Sequence, residues 1–123
     1  MKKQIEADVL VVGGGLAGTF SAIAAKKTHP NAKVWIIERF GFLGGMATAG
    51  YVFPFMRYWT WKKPAKDSVN GIEQKKHKRL TGGLFKTMLD QMHEYGFTEN
   101  RARTKDYYQR FDPMMMRCVL DEM

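Results

Sequence analysis

A G-x-G-x-x-G turn, set between a short apolar run and a helical pattern, limits this chain more than any other feature it carries. Val9, Leu10, Val11 and Val12 stand in a row within residues 7–12, and Gly13, Gly15 and Gly18 then fill the three marked places. A continuous β-branched run predicts a buried parallel strand with helices over both faces. Beyond the turn, Leu16, Phe20, Ile23, Ala24 and Lys27 recur at helical spacing, with Ala17, Ala22 and Ala25 between them. Strand, tight turn and helix divide three tasks among the glycines. Gly13 permits the sharp turn, Gly15 admits a pyrophosphate to bare backbone, and Gly18 lets the helix lie close to the strand. The unpaired N–H groups that open the helix, at the positive end of its dipole, suit phosphate oxygens.

A second strand is predicted over residues 33–38, ending on Glu38, 20 residues beyond Gly18. An acid at the carboxyl end of strand two can accept hydrogen bonds from both hydroxyls of an unphosphorylated ribose. A 2′-phosphate is repelled there, which disfavours NADP. Alone, G-x-G-x-x-G is a weak signal, and a glycine turn with no nucleotide is its plain alternative. Its weight here comes from the complete strand, helix, strand and acid. The expected fold is α/β, the N-terminal part of a doubly wound Rossmann-like domain.

A chain of 123 residues, 45% hydrophobic and 13% aromatic, allows one globular domain. Two parallel strands do not make an independent sheet, and the last helical pattern runs to Met123 with no strand to receive it. The expectation is therefore the N-terminal part of a larger protein. It divides into a βαβ core at 7–38, a cofactor loop at 39–50, an aromatic and basic insertion at 51–80, and helices near 83–95 and 113–123. A single cysteine, Cys118, excludes an internal disulfide and a multi-cysteine metal cluster within these residues. Glu6 and Asp8 interrupt what begins, at Lys2 and Lys3, like a signal peptide, and no run approaches a membrane span. Cytoplasmic is the default.

Residues 41–50 hold four glycines, Gly41, Gly44, Gly45 and Gly50, among large apolar side chains. Such a mixture suits backbone threaded close to something bulky, and the Gly44-Gly45 doublet leaves amides free to donate. Here the sequence resembles the FAD-dependent oxidoreductases, and among them the bacterial group related to the FAD domain of heterodisulfide reductase. Residues 9–18, the strand end Ile36, Ile37, Glu38 and Arg39, and the loop 41–50 carry the resemblance.

The resemblance implies FAD as the cofactor. It implies that Gly13, Gly15, Leu16, Ala17 and Gly18, with Gly14 in the same turn, meet its pyrophosphate. Glu38 takes the adenosine ribose and Arg39 the adenine side, while Gly44, Gly45, Met46 and Ala47 line the path toward the flavin. It further implies hydride or electron transfer through the flavin, and a protein several times longer than this chain. Some relatives carry iron-sulphur clusters, but nothing in these residues could ligate one. No catalytic acid or base and no substrate can be named. An NAD-dependent dehydrogenase uses the same glycines and acid, and the Gly44-Gly45 loop argues against it.

The segment with Tyr51, Phe53, Phe55, Tyr58, Trp59 and Trp61 either covers the flavin or forms an apolar layer between sheet and neighbour. Of the net charge of +8, residues 57–79 contribute +6, from eight Lys or Arg against Asp67 and Glu73. Rings followed by cations invite a nucleic-acid reading, but a solvated insertion loop is the simpler one, and no nucleic-acid partner is expected. Leu84, Phe85, Met88, Leu89 and Met92 predict an amphipathic helix that ends before Gly96, with His93 beside it as a structural residue. Asp112 and Pro113 predict an N-cap and first turn, and Met115, Met116, Val119, Leu120 and Met123 the apolar stripe that follows. Cys118 reads as a small packing residue.

Overall fold

The structure is a computed structural model that describes residues 4–56, 58–61, 77–98 and 108–123. Strand β1 (Val9–Val12) pairs in parallel with β2 (Val34–Ile37), in register from Val9 opposite Val34 to Val12 opposite Ile37. Asp8 clips the strand start. Its carboxylate accepts from Lys33 N at 2.7 Å, and its own amide donates to Lys33 O at 2.9 Å. At the other end Gly13 N donates to Ile37 O at 2.8 Å, which carries the ladder into the glycine turn.

Helix α1 (Leu16–Thr28) joins the two strands and covers one face of the pair. Its buried residues are Thr19 and Ala22, whereas Ala24 and Lys27 are exposed. Of the predicted stripe, Leu16, Phe20 and Ile23 are half-buried and Ala24 and Lys27 are not, while the fully buried positions fall on the small residues that close approach to the strands requires. Successive β-carbons of a strand alternate between faces. Val9, Val11, Val34 and Ile36 are half-buried, while Leu10, Val12, Trp35 and Ile37 remain 54%, 79%, 45% and 54% exposed. The expectation of cover on both faces is thus corrected: among the described residues no element packs on the second face.

The apolar core lies elsewhere. Helix α2 (Leu84–Glu94) supplies Met88, Leu89 and Met92, and helix α3 (Pro113–Glu122) supplies Met116, Val119 and Leu120. Ala47, Tyr58 and Phe111 complete it, with Leu16, Phe20 and Leu43 packed against its edge. The aromatic segment divides. Phe55 stacks on Phe111 at 4.3 Å and meets Phe85 edge-on at 5.1 Å, while Tyr51 and Phe53 stay exposed. Single bridges from Phe55 to Gln109 and from Thr98 to Phe111 hold this layer to the start of α3.

Asp112 caps α3 as predicted, accepting from Met114 N at 2.8 Å and Met115 N at 3.1 Å. Two expectations on this helix are corrected: Met115 turns away from the core, and Cys118 is exposed rather than packed. Strand β3 (Trp59–Trp61) pairs antiparallel with β4 (His77–Arg79). The basic run between them, residues 62–76, lies outside the described residues, as do 99–107. No helix among the described residues is long and apolar enough to cross a membrane.

Candidate functional site

Gly13 turns the chain off β1 with φ +103°, a conformation that glycine adopts without a steric penalty. Gly14 is buried, and its peptide groups are engaged inside the protein. Its amide donates to Glu38 Oε2, and its carbonyl accepts from Gly44 N at 2.8 Å and from Thr19 Oγ1 at 3.1 Å. A β-carbon on Gly14 would lie 2.8 Å from Leu43 Cδ2. On Gly18 it would lie 1.9 Å from Gly13 O. Gly13 and Gly15 differ: around their β-carbon positions there is no protein atom within 4 Å. The inner glycines of the turn let chain pack on chain, and the outer two look into open space.

Helix α1 starts beneath that space. Gly15 is its N-cap in extended conformation, no side chain caps it, and no acid lies in its first turn. Leu16 is half-buried and Ala17 exposed at this end. The first amides of a helix have no partner within it, so an uncapped start leaves donors and a positive dipole end for something else. Asp112 fills that role on α3; among the described residues no side chain fills it on α1.

Glu38 reaches the turn from the end of β2. One carboxylate oxygen accepts from Gly14 N and the other from Phe40 N at 2.9 Å. The Phe40 amide foremost, then the Gly14 amide, hold its carboxyl below the usual carboxylate value; desolvation opposes them, and the Arg39 amide and charge add lesser lowering effects. The group is ionised at neutral pH. A carboxylate has about four lone-pair sites, so two hydrogen bonds leave it able to accept more. Arg39 is exposed and lies over the Phe40 ring at 4.8 Å.

The second glycine segment docks on the first. Gly44 (φ +99°) sits opposite Gly15 in a parallel bridge, and a β-carbon on Gly45 would lie 3.3 Å from Gly15 Cα. A single 3-10 turn, Gly45–Ala47, follows. Gly44 and Ala47 are buried and face the core, whereas Gly45 is half-buried and Met46 is 67% exposed. Arg117 of α3 lies over the Phe42 ring at 4.1 Å, which braces the same loop.

Two residues that the sequence pattern does not single out support these turns. Thr19 and Thr48 are both buried, and their hydroxyls donate to turn carbonyls, Thr19 to Gly14 O and Thr48 to Leu43 O at 2.9 Å. The one signal available was a hydroxyl side chain among Gly and Ala directly after each glycine cluster.

A family model described as FAD dependent oxidoreductase matches residues 8–123. The chain belongs to that family. Its cofactor is FAD. An uncharacterized protein of Acanthamoeba polyphaga mimivirus is 45% identical over 47 residues, which are 38% of this chain and 9% of that protein. The chain therefore spans less than a tenth of the relative it matches. No solved structure matches. As a member of the FAD dependent oxidoreductase family, the chain has groups that fit part of such a cofactor: open backbone at Gly13 and Gly15, uncapped amides on α1, and an ionised carboxylate with spare acceptor sites.

Proposed function

We propose that the protein is a flavoenzyme that holds the adenosine diphosphate part of FAD across its first glycine turn. Gly13, Gly15, Leu16, Ala17 and Gly18 offer backbone to the pyrophosphate, with Gly14 supporting the turn from below. Glu38 accepts from the ribose, Arg39 flanks the adenine, and Gly44, Gly45, Met46 and Ala47 belong to the path toward the flavin. Bound FAD supplies hydride or single-electron transfer through its isoalloxazine ring, and the protein supplies position and electrostatics. The substrate is a small molecule of unassigned class. Within the family we place the chain nearest the bacterial group related to the FAD domain of heterodisulfide reductase, on the strength of residues 41–50.

One observation carries this reading: the uncapped start of α1 lies under open backbone at Gly13 and Gly15, with the Glu38 carboxylate docked on the same turn. Anionic ligands at such a helix start are held by amides and dipole together. The test is to purify the full-length protein, release its nucleotide with acid and identify it by chromatography. Stoichiometric FAD is expected. Released NAD would instead favour the dehydrogenase, and a protein that neither retains nor takes up a dinucleotide would reject the proposal.

A further inference from the structure

Thr48 sits at the foot of the second glycine loop with none of its surface exposed. Its hydroxyl reaches Leu43 O at 2.9 Å and Gly45 O at 3.2 Å, and its amide donates to Gly45 O at 3.2 Å. Gly50 N adds a third donor to Gly45 O, also at 3.2 Å. The Thr48 methyl would lie 2.3 Å from a β-carbon on Gly44, and Leu120 of α3 would lie 3.0 Å from it. Loop, threonine and helix are fitted to one another.

A trans peptide points its C=O and N–H in opposite directions. In the Leu43–Gly44 peptide the consequence is visible: the Leu43 carbonyl faces Thr48, and Gly44 N on the far side donates to Gly14 O at 2.8 Å. The next peptide but one repeats the arrangement with a different outcome. The Gly45 carbonyl is drawn inward by Thr48 and Gly50, so the Met46 N–H is turned outward, on a residue that is 67% exposed. Among the described residues neither Gly45 N nor Met46 N donates a hydrogen bond. These amides adjoin Gly15, the N-cap of α1, so both sets of donors belong to one stretch of backbone surface.

We propose that Thr48 is a positioning residue of the cofactor site, whose buried hydroxyl, tethering Leu43 O and sharing Gly45 O with the Thr48 and Gly50 amides, steadies the Gly45–Met46 peptide so that the Met46 amide donates to an oxygen of bound FAD. The inference rests on the FAD reading above and adds to it a residue that does not touch the cofactor. The single hydroxyl proton goes chiefly to Leu43 O and is shared with Gly45 O, so without it Leu43 O loses the only side-chain donor it has among the described residues and Gly45 O keeps only its two amide donors. The Gly45–Met46 peptide is then held by the Thr48 and Gly50 amides alone, on a loop whose Leu43 carbonyl has lost its tether, and glycine at position 45 offers little resistance to its tilting.

The test compares the wild-type full-length protein with Thr48→Val, which keeps the methyl against Gly44, and Thr48→Ser, which keeps the hydroxyl. Hydrogen exchange of residues 44–50 is read at single-amide resolution with and without FAD, and FAD affinity is measured by flavin titration. In wild type and Thr48→Ser, FAD should slow exchange at Met46 at least about tenfold, as a hydrogen bond to a charged or strongly polar acceptor does. In Thr48→Val that protection should vanish, and Kd should rise about tenfold. Three results overturn the inference while leaving FAD as the ligand: a wild-type protein that binds FAD with Met46 unprotected, a Thr48→Val protein with unchanged affinity, or a Thr48→Ser protein as impaired as Thr48→Val. The wild-type exchange measurement decides the matter even if Thr48→Val does not fold. A wild-type protein that binds no FAD removes both readings together.

Discussion

Gly15 and Gly18 stand in the same turn but answer to different neighbours, and the difference predicts how they fail. A β-carbon at Gly15 meets no protein atom within 4 Å, and the residue has φ −65°, which alanine adopts readily. Gly15→Ala should therefore leave the melting temperature of the cofactor-free protein unchanged and weaken FAD binding about tenfold or more, by standing where the diphosphate approaches. At Gly18 the same methyl would overlap Gly13 O at 1.9 Å, and overpacking against backbone costs about 1–3 kcal/mol or more. Gly18→Ala should lower stability in thermal unfolding before any ligand is added. Equal melting temperatures for the two variants would contradict this division. Glu38 gives a prediction in pH. Its pKa is lowered in the folded protein, so the stability it contributes is fully present above the usual value of 4.5 and is lost as pH falls through the lower folded value. The melting-temperature difference between wild type and Glu38→Gln should hold constant from neutral pH to about 5 and shrink only below it. A difference that disappeared between pH 8 and 6 would point to another group. The position of Glu38 was legible from its distance to the glycines. Its grip on the Gly14 amide was not, because a side chain's choice between ligand and backbone depends on how two turns meet in space.

Helices show the same contrast at the next scale. Helices α2 and α3 were legible almost to their ends because each carries its apolar residues on one side, and Asp112 with Pro113 announces the start of α3. Helix α1 was legible as a helix and only in part in its buried face: Leu16, Phe20 and Ile23 are half-buried, but small residues such as Thr19 and Ala22, which carry no hydrophobic signal, are the ones fully buried. The pairing of β3 with β4 escaped notice entirely: three residues a side carry no periodicity that can be told from loop. The caps predict an asymmetry. Asp112→Ala should destabilise the protein by about 1 kcal/mol in urea unfolding, because Met114 N and Met115 N lose their acceptor, and Asp112→Asn should recover most of that. Among the described residues α1 has no comparable side-chain cap to remove. If the open start of α1 is held for a diphosphate, FAD should act there as the carboxylate of Asp112 acts on α3, and saturating FAD should raise the melting temperature by mass action.

In the whole molecule, the βαβ unit and the main apolar core are neighbours rather than the same object. The core of α2, α3, Tyr58 and Phe111 reaches the glycine segments through Ala47, Leu43 and Leu120, which supports the second glycine loop from behind. The βαβ unit, by contrast, is covered on one face only among the described residues. The run of valines in β1 was a correct sign of a strand made for cover on both sides, and the sign outran the packing: Leu10, Val12, Trp35 and Ile37 form an apolar surface open to water. Burying such a surface is favourable by about 25 cal/mol per Å², and contiguous exposed apolar patches of a few hundred Å² tend to find a partner. The 123-residue chain in isolation should therefore bind a hydrophobic dye and self-associate in a concentration-dependent way, as followed by sedimentation. Val12→Lys combined with Ile37→Lys should reduce both effects. Because neither side chain packs in the core, the melting temperature should change by no more than about 2–4 °C, equivalent to at most ~0.5 kcal/mol for exposed positions. A double variant that unfolds would mean that these side chains are buried in solution, and one that associates as strongly as wild type would assign the association to another surface.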